Sequence, residues 1–106
     1  MSETQAIISN RREYPVPPQA LEAEQSVLGC LLLDSRRWDD VAEVVLEEDF
    51  YTKAHRDIFS AIKALHAADE PVDVVTTAEW LGNSGVLDRV GGLTYLGELA
   101  KNTPGT

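Results

Sequence analysis

The chain has 106 residues, 43% of them hydrophobic and 25% charged, which fits one globular domain and excludes an intrinsically disordered chain. Nine Lys and Arg against eighteen Asp and Glu give a formal net charge of −9 at pH 7. Because nucleic-acid binding relies on cationic contacts with phosphates, this charge disfavours direct DNA binding. It suits docking on a basic protein partner instead.

The single cysteine, Cys30, excludes an intrachain disulfide, and its apolar surroundings in the sequence predict core packing. The sequence begins without a signal-peptide pattern, and no apolar run is long enough to cross a membrane. We therefore expect a cytoplasmic protein without membrane contact.

The N-terminal part predicts an arm followed by a helix. Residues 1–16 have no helical period, and Tyr14-Pro15-Val16-Pro17-Pro18 favours extended backbone, which predicts a flexible arm. A first helix is expected from about Gln19, with Glu22 and Glu24 in its first turn, where carboxylates favour the helix dipole. Its apolar stripe consists of Leu21, Val27, Leu28, Leu31 and Leu32.

Two further amphipathic patterns follow. Asp34 or Ser35 can cap a second helix, whose apolar positions continue to Leu46. Thr52 can cap a third. The expected apolar positions of the second helix are Trp38, Val41, Ala42, Val45 and Leu46; those of the third are Ile58, Phe59, Ile62 and Leu65, with Arg56, Asp57 and Lys63 outside.

The C-terminal half predicts two more helices. Residues 72–75 are expected to be an extended lead-in, and Thr76 with Glu79 forms a potential capping box for a helix that ends near Leu81. A last helix is expected from Leu93 to about Lys101 after two glycines, with Leu93, Leu96, Leu99 and Ala100 facing inward. The predicted fold is all-α, a compact orthogonal array of about five to six short helices.

No pattern predicts a catalytic, cofactor-binding or metal site. The carboxylates between Asp39 and Asp49 are typical of a solvated helix face, and no ligand-converging loop accompanies them. His55 and His66 are about 16 Å apart along one helix, too far to share a metal, and structural roles are favoured for both. The glycines match no phosphate-binding motif. Core packing is slightly favoured for Trp80, whereas a partner contact and a core-edge position are equally compatible with Tyr95.

Several stretches, taken together, resemble the N-terminal domain of the bacterial replicative DNA helicase, the DnaB family. They are Pro17-Pro18, 22–29 (E-A-E-Q-S-V-L-G), 38–41, 49–51, His55-Arg56 with Ile58-Phe59, 71–73, and the V-G-G-x-x-Y-L pattern at 90–96. They follow one another in order over about residues 17–104. No single stretch is specific, but E-A-E-Q-S-V-L-G after a proline pair, together with V-G-G-x-x-Y-L near the end, is a strong joint signal. The resemblance implies a flexible arm at 1–16, a helical collar domain at 17–101, and, at 102–106, the start of a linker to a helical hairpin and a motor domain.

The resemblance also implies a function. The collar supports assembly of a hexameric ring as a trimer of dimers and contacts primase or a helicase loader, without binding nucleic acid itself. ATP and Mg²⁺ belong to the separate motor domain of the full-length protein, an ATP-dependent 5'-3' DNA helicase. The resemblance assigns Tyr95 to the primase side and Leu93 to the neighbourhood of a head-to-head contact between subunits. Because the hairpin contributes much of both contacts, the collar alone is expected to make them weakly.

Two other hypotheses remain open at this point. Short helices joined by tight turns are compatible with a stand-alone nucleic-acid-binding adaptor, which predicts salt-sensitive binding to single-stranded DNA. A small hydrolase using His55 is the least favoured, because the sequence singles out neither a nucleophile nor an orienting carboxylate beside it.

Overall fold

Every regular element in the described part of the chain is helical. A computed structural model describes residues 18–102, and the predicted arm at 1–16 lies outside them. The α-helices are α1 (Pro18–Leu33), α2 (Trp38–Ala42), α3 (Lys53–Ala67), α4 (Val74–Asn83), α5 (Leu87–Val90) and α6 (Gly92–Asn102), with 3₁₀ turns at Ser35–Arg37 and Glu47–Asp49. The prediction of an all-α array is confirmed.

The core lies where α1, α3 and α6 meet. α1 packs against both α3 and α6, while α4 covers α3 and α6 from the other side. The predicted buried face of α3 is confirmed, since Ile58 and Ile62 are fully buried and Phe59 and Leu65 nearly so. Each such side chain contributes about 1.5–3 kcal/mol through burial. This packing fixes the three helices that carry the polar residues described below.

The second helix is shorter than its apolar pattern predicted. α2 ends at Ala42, so the prediction that the helix continues to Leu46 is wrong. Leu46 has an extended backbone, and its N–H donates a hydrogen bond to Asp49 Oδ2 over 2.8 Å. That bond caps the following 3₁₀ turn, and the Leu46 side chain is left 56% exposed.

The start of α4 also differs from the prediction. Asp73 is the capping residue: its Oδ1 accepts from Thr76 N–H over 2.8 Å, and Thr76 Oγ1 accepts from Asp73 N–H over 2.9 Å. This reciprocal pair sets the first turn at Val74 and Val75, which the sequence pattern had placed in an extended lead-in. The predicted capping box of Thr76 and Glu79 is therefore wrong.

At the C-terminal end, α6 confirms the predicted last helix, but one of its four expected inward-facing residues is exposed. Leu96 and Leu99 are buried, but Leu93 is 54% exposed and does not face the core as its spacing predicted. Trp80 on α4 is 40% exposed, so its predicted core position is also wrong. The short α5 was not predicted from the sequence.

The junction between α1 and α2 is held by a local ion pair. Asp34 caps the first 3₁₀ turn by accepting from Arg36 N–H, and its carboxyl also accepts from the Arg36 guanidinium over 2.9 Å. The hydrogen bond from Arg36 holds the pKa of the Asp34 carboxyl below its usual value. Asp34 is thus confirmed as a cap, although of a 3₁₀ turn.

Candidate functional site

Three helices meet at the buried ring of His55. This residue lies in the first turn of α3, where its backbone N–H donates to Thr52 Oγ1, and it is only 3% exposed. Its Nδ1 lies 2.7 Å from Glu24 Oε1 on α1, and its Nε2 lies 2.6 Å from the hydroxyl of Tyr95 on α6. We call these three side chains the Glu24–His55–Tyr95 network.

The hydrogen bonds of the network run in one direction. A carboxylate only accepts, so Nδ1 donates to Glu24 and, in a neutral ring, Nε2 accepts from the Tyr95 hydroxyl. The amide Nε2 of Gln25 then donates to the Tyr95 oxygen over 3.3 Å, and the Tyr51 N–H donates to Glu24 Oε2 over 2.7 Å. Both Glu24 oxygens and both His55 nitrogens therefore have partners.

Gly91 allows Tyr95 to reach this position. Its φ of +112° lies in the left-handed region, and a Cβ added there would lie 2.6 Å from the Cβ of Tyr95. The Tyr95 ring lies nearly parallel to the His55 ring, with centroids 6.0 Å apart and planes 6° apart. The V-G-G-x-x-Y-L pattern therefore has a physical basis, since only glycine at position 91 leaves room for the Tyr95 side chain.

The loop before α3 is fixed by Arg56. This side chain was predicted to lie outside, but it is half-buried and its Nη1 donates to the carbonyls of Phe50 and Tyr51 over 2.9 and 3.0 Å. Tyr51 is the residue whose N–H binds Glu24, so Arg56 supports the network indirectly. The guanidinium of Arg56 thus satisfies two backbone carbonyls of the loop before α3.

Leu93 and Tyr95, the two predicted partner-binding residues, lie on opposite sides of α6. Residues two apart on a helix point about 200° away from each other. Tyr95 is half-buried against α1 and α3, whereas Leu93 lines an open groove of about 580 Å³ with Val75, Ala78 and Leu87. Val75 is itself 62% exposed. The structure therefore places the two residues on separate surfaces.

The sequence did not reveal Glu24 as a partner of His55. Glu24 was assigned to the first turn of the first helix, but α1 begins at Pro18, so Glu24 lies in the second turn and points at α3. The orienting carboxylate that seemed missing beside His55 is therefore present. The only sequence signal was that both residues fall within motifs that resemble the DnaB family.

The network is arranged to join helices. Its histidine is almost inaccessible, and the Tyr95 oxygen is already bonded to His55 and Gln25. A general base needs a ring nitrogen free to take a substrate proton, and both nitrogens of His55 are already hydrogen-bonded. Within residues 18–102, no group of three or more Asp, Glu, His and Cys side chains is placed to hold a metal ion. His66, by contrast, is exposed, and its ring packs against the Trp38 ring with the two ring centroids 5.4 Å apart.

The fold and the site define a small all-helical domain whose buried polar side chains fasten three helices together. None of the helices between Pro18 and Asn102 is long and apolar enough to cross a membrane. The family model of the DnaB-like helicase N terminal domain matches residues 16–106, so the chain belongs to that family.

Individual relatives agree with this assignment. The chain is 43% identical over all 106 residues to the replicative DNA helicase DnaB of Buchnera aphidicola subsp. Schizaphis graminum, and it covers 23% of that protein. To DnaB of Haemophilus influenzae it is 46% identical over 92 residues, which are 87% of this chain and 20% of the relative. The chain therefore spans less than a quarter of the length of these relatives.

A solved structure shows the same fold. The crystal structure of the N-terminal domain of DnaB helicase from Mycobacterium tuberculosis matches with a TM-score of 0.79 and 45% sequence identity. The match covers 84% of this chain and 62% of that chain.

Proposed function

We propose that the chain is the non-catalytic N-terminal collar of a hexameric replicative DNA helicase. It supports ring assembly as a trimer of dimers and contacts primase or a helicase loader. Family membership supports the first part of this proposal. The observation that carries the second is the separation of Leu93 and Tyr95 on opposite sides of α6, which lets one helix serve two partners at once.

The Leu93 side suits self-association. Leu93 and Val75 are both more than half exposed and border one groove with Ala78 and Leu87. Adjacent exposed aliphatic side chains mark protein contact sites more often than isolated ones do. A second subunit that covers this groove would bury both side chains.

The Tyr95 side suits primase. The ring forms a wall of an open cleft of about 430 Å³, which is also lined by Glu22, Gln25, Ser26 and Glu98. Tyrosine is enriched at interfaces because it offers a rigid apolar ring with one polar end. Here the polar end is bound to His55, so the ring is already oriented before a partner arrives.

Catalysis belongs to another part of the full-length protein in this proposal. That protein is an ATP-dependent 5'-3' DNA helicase, with ATP and Mg²⁺ in its motor domain. The collar itself needs no cofactor and makes no direct contact with nucleic acid, in keeping with its charge of −9.

The primase contact is tested by NMR. The ¹⁵N-labelled chain is titrated with the C-terminal domain of a bacterial primase, and amide shifts near Gln25 and Tyr95 are expected. Tyr95→Ala should remove the response. Leu93→Ser should leave it unchanged, because Leu93 lies on the other side of α6.

Two results would contradict the proposal. One is the absence of shifts near Tyr95 even when the chain is extended through the helical hairpin of its family. The other is salt-sensitive binding to single-stranded DNA in about 0.05 M salt, which would favour the nucleic-acid adaptor.

A further inference from the structure

A small apolar pocket opens between α1 and the loop that follows α2. Its apolar walls are Ala23 and Val27 of α1 with Val45 and Phe50 from the loop, and its volume is about 170 Å³. Two carboxylates, Glu24 and Asp49, also line it. A cavity of about 150 Å³ with apolar walls is large enough for a benzene molecule. The pocket therefore has room for one phenyl ring or branched aliphatic side chain.

The rim of the pocket is acidic. Residues 38–50 contain six carboxylates and no Lys, Arg or His. Asp49 lines the pocket itself, and Glu43, Glu47 and Glu48 lie in the same segment of chain; all four are exposed. None of the four forms an ion pair with any residue of the described range, 18–102.

The cations that flank this segment are engaged elsewhere. Arg36 and Arg37 pair with Asp34, and Lys53 pairs with Asp57. The apolar side chains beside the acidic rim are also uncovered, since Val44 is 78% and Leu46 56% exposed. We call the pocket and its rim, residues 43–50 with Ala23 and Val27, the 43–50 surface.

We infer that the 43–50 surface binds a peptide segment of a protein partner in which one bulky apolar side chain is flanked by Lys or Arg. The apolar side chain enters the pocket, and the flanking cations meet the four carboxylates. Apolar burial supplies most of the affinity, while the charges select the partner and speed the encounter.

Charge selects this occupant over the alternatives. A second copy of the chain also carries −9, and its docking is disfavoured most at this acidic rim, whereas one carboxylate, Glu79, lines the groove beside Leu93. Nucleic acid is excluded for the same reason, because its phosphates would face unpaired carboxylates. Neither Leu93 nor Tyr95 lines this pocket, and its link to Tyr95 is Glu24, which lines it and bonds to His55.

The test uses three synthetic peptides and the ¹⁵N-labelled chain. The probe peptide has a central Phe between Lys residues, the second has Ala in place of Phe, and the third has Glu in place of Lys. We expect the probe alone to shift amides at 44–50 and around Ala23, with affinity that falls between about 0.05 and 0.3 M salt.

Two pairs of protein variants distinguish the contribution of the pocket to peptide binding from that of its acidic rim. Ala23→Leu fills the pocket and should weaken the probe about tenfold, whereas Ala67→Leu, at an exposed position on α3, should not. Glu48→Lys should weaken it about threefold, whereas Glu70→Lys, exposed elsewhere, should change it far less.

Three outcomes would overturn the inference. They are equal binding of the Ala peptide, equal binding of the Glu peptide, and shifts at 44–50 that depend on chain concentration without peptide. The last would assign the surface to a second copy. Primase titration of Ala23→Leu distinguishes failure here from failure of the proposed function, because its response near Tyr95 should remain.

Discussion

At the scale of single residues, His55 joins three helices because both nitrogens of its ring are used. Glu24 comes from a position 31 residues earlier and Tyr95 from one 40 residues later, so each hydrogen bond closes a long loop of chain. A buried polar network stabilises a fold when its members are satisfied, and in the Glu24–His55–Tyr95 network they are. Removing the ring would leave the Glu24 carboxyl, 12% exposed, without its side-chain partner.

We therefore expect His55→Ala to lower the free energy of unfolding by about 3 kcal/mol, because it leaves two partners unsatisfied and opens a cavity. Tyr95→Phe, which removes one hydroxyl, should cost about 1 kcal/mol. Urea denaturation measures both. His66→Ala is the control, since His66 is exposed and the substitution removes a ring contact with Trp38 but no part of the network. A loss for His55→Ala no larger than that of the control would show that the network contributes little stability.

Two neighbouring threonines should respond in opposite ways to the same substitution. Thr77 is fully buried, and its hydroxyl has no hydrogen-bond partner among residues 18–102. Thr77→Val should therefore stabilise the domain by about 1 kcal/mol, because it removes an unsatisfied polar group at similar volume. Thr76→Val should destabilise it by about 1 kcal/mol, because Thr76 Oγ1 accepts from Asp73 N–H in the α4 cap. Thermal unfolding of both variants would show the contrast, and equal signs would contradict it.

At the scale of elements, the junction between α5 and α6 positions the tyrosine. Gly91→Ala should cost more than about 2 kcal/mol and displace Tyr95, because the added Cβ would lie 2.6 Å from the Tyr95 Cβ at a φ of +112°. Gly92→Ala is the matched control: its φ is +73°, but nothing lies within 4 Å of the added Cβ. It should cost about 1 kcal/mol and leave the Tyr95 ring resonances in place. Equal losses for the two variants would contradict the role of the close contact.

Helices whose bounds are set by residues close in the sequence, such as a capping residue and a regular apolar face, were predictable. α3 has a capping threonine and an apolar face at helical spacing, and it begins at Lys53 after Thr52 as expected. The second helix was predicted to be too long because Val45 and Leu46 continue the apolar spacing of α2. The hydrogen bond from Leu46 N–H to Asp49 interrupts the helix there, and periodicity contains no information about such a bond.

For the candidate site, the sequence singled out individual residues but not their pairing, for a related reason. Resemblance to the DnaB family singled out Tyr95 and Leu93, and the structure places them on different surfaces. The pairing of Glu24 with His55 and Tyr95 depends on how α1, α3 and α6 pack together, which one sequence does not specify. The exposure of Leu93 had the same origin: its spacing matched Leu96 and Ala100, but α4 and α5 leave an open groove beside it.

At the scale of the whole molecule, charge and apolar exposure are distributed unevenly. Six of the eighteen carboxylates lie within residues 38–50, whereas the groove beside Leu93 is lined by one charged residue, Glu79. Contacts on these two surfaces should therefore depend on salt in opposite ways. Screening weakens attraction between a basic peptide and the acidic rim, but it also weakens the repulsion between two chains that each carry −9.

Self-association through the Leu93 groove should accordingly increase with salt. Sedimentation velocity of the chain in about 0.1 M and about 1 M sodium chloride should give a larger average mass at the higher concentration, where the Debye length falls from about 10 to about 3 Å. Leu93→Ser should abolish the increase, whereas Leu46→Ser, which removes an equally exposed leucine from the 43–50 surface, should preserve it. A mass that falls with salt would mean that charge pairs hold the subunits together. An equal effect of the two substitutions would mean that the groove beside Leu93 is not where the subunits meet.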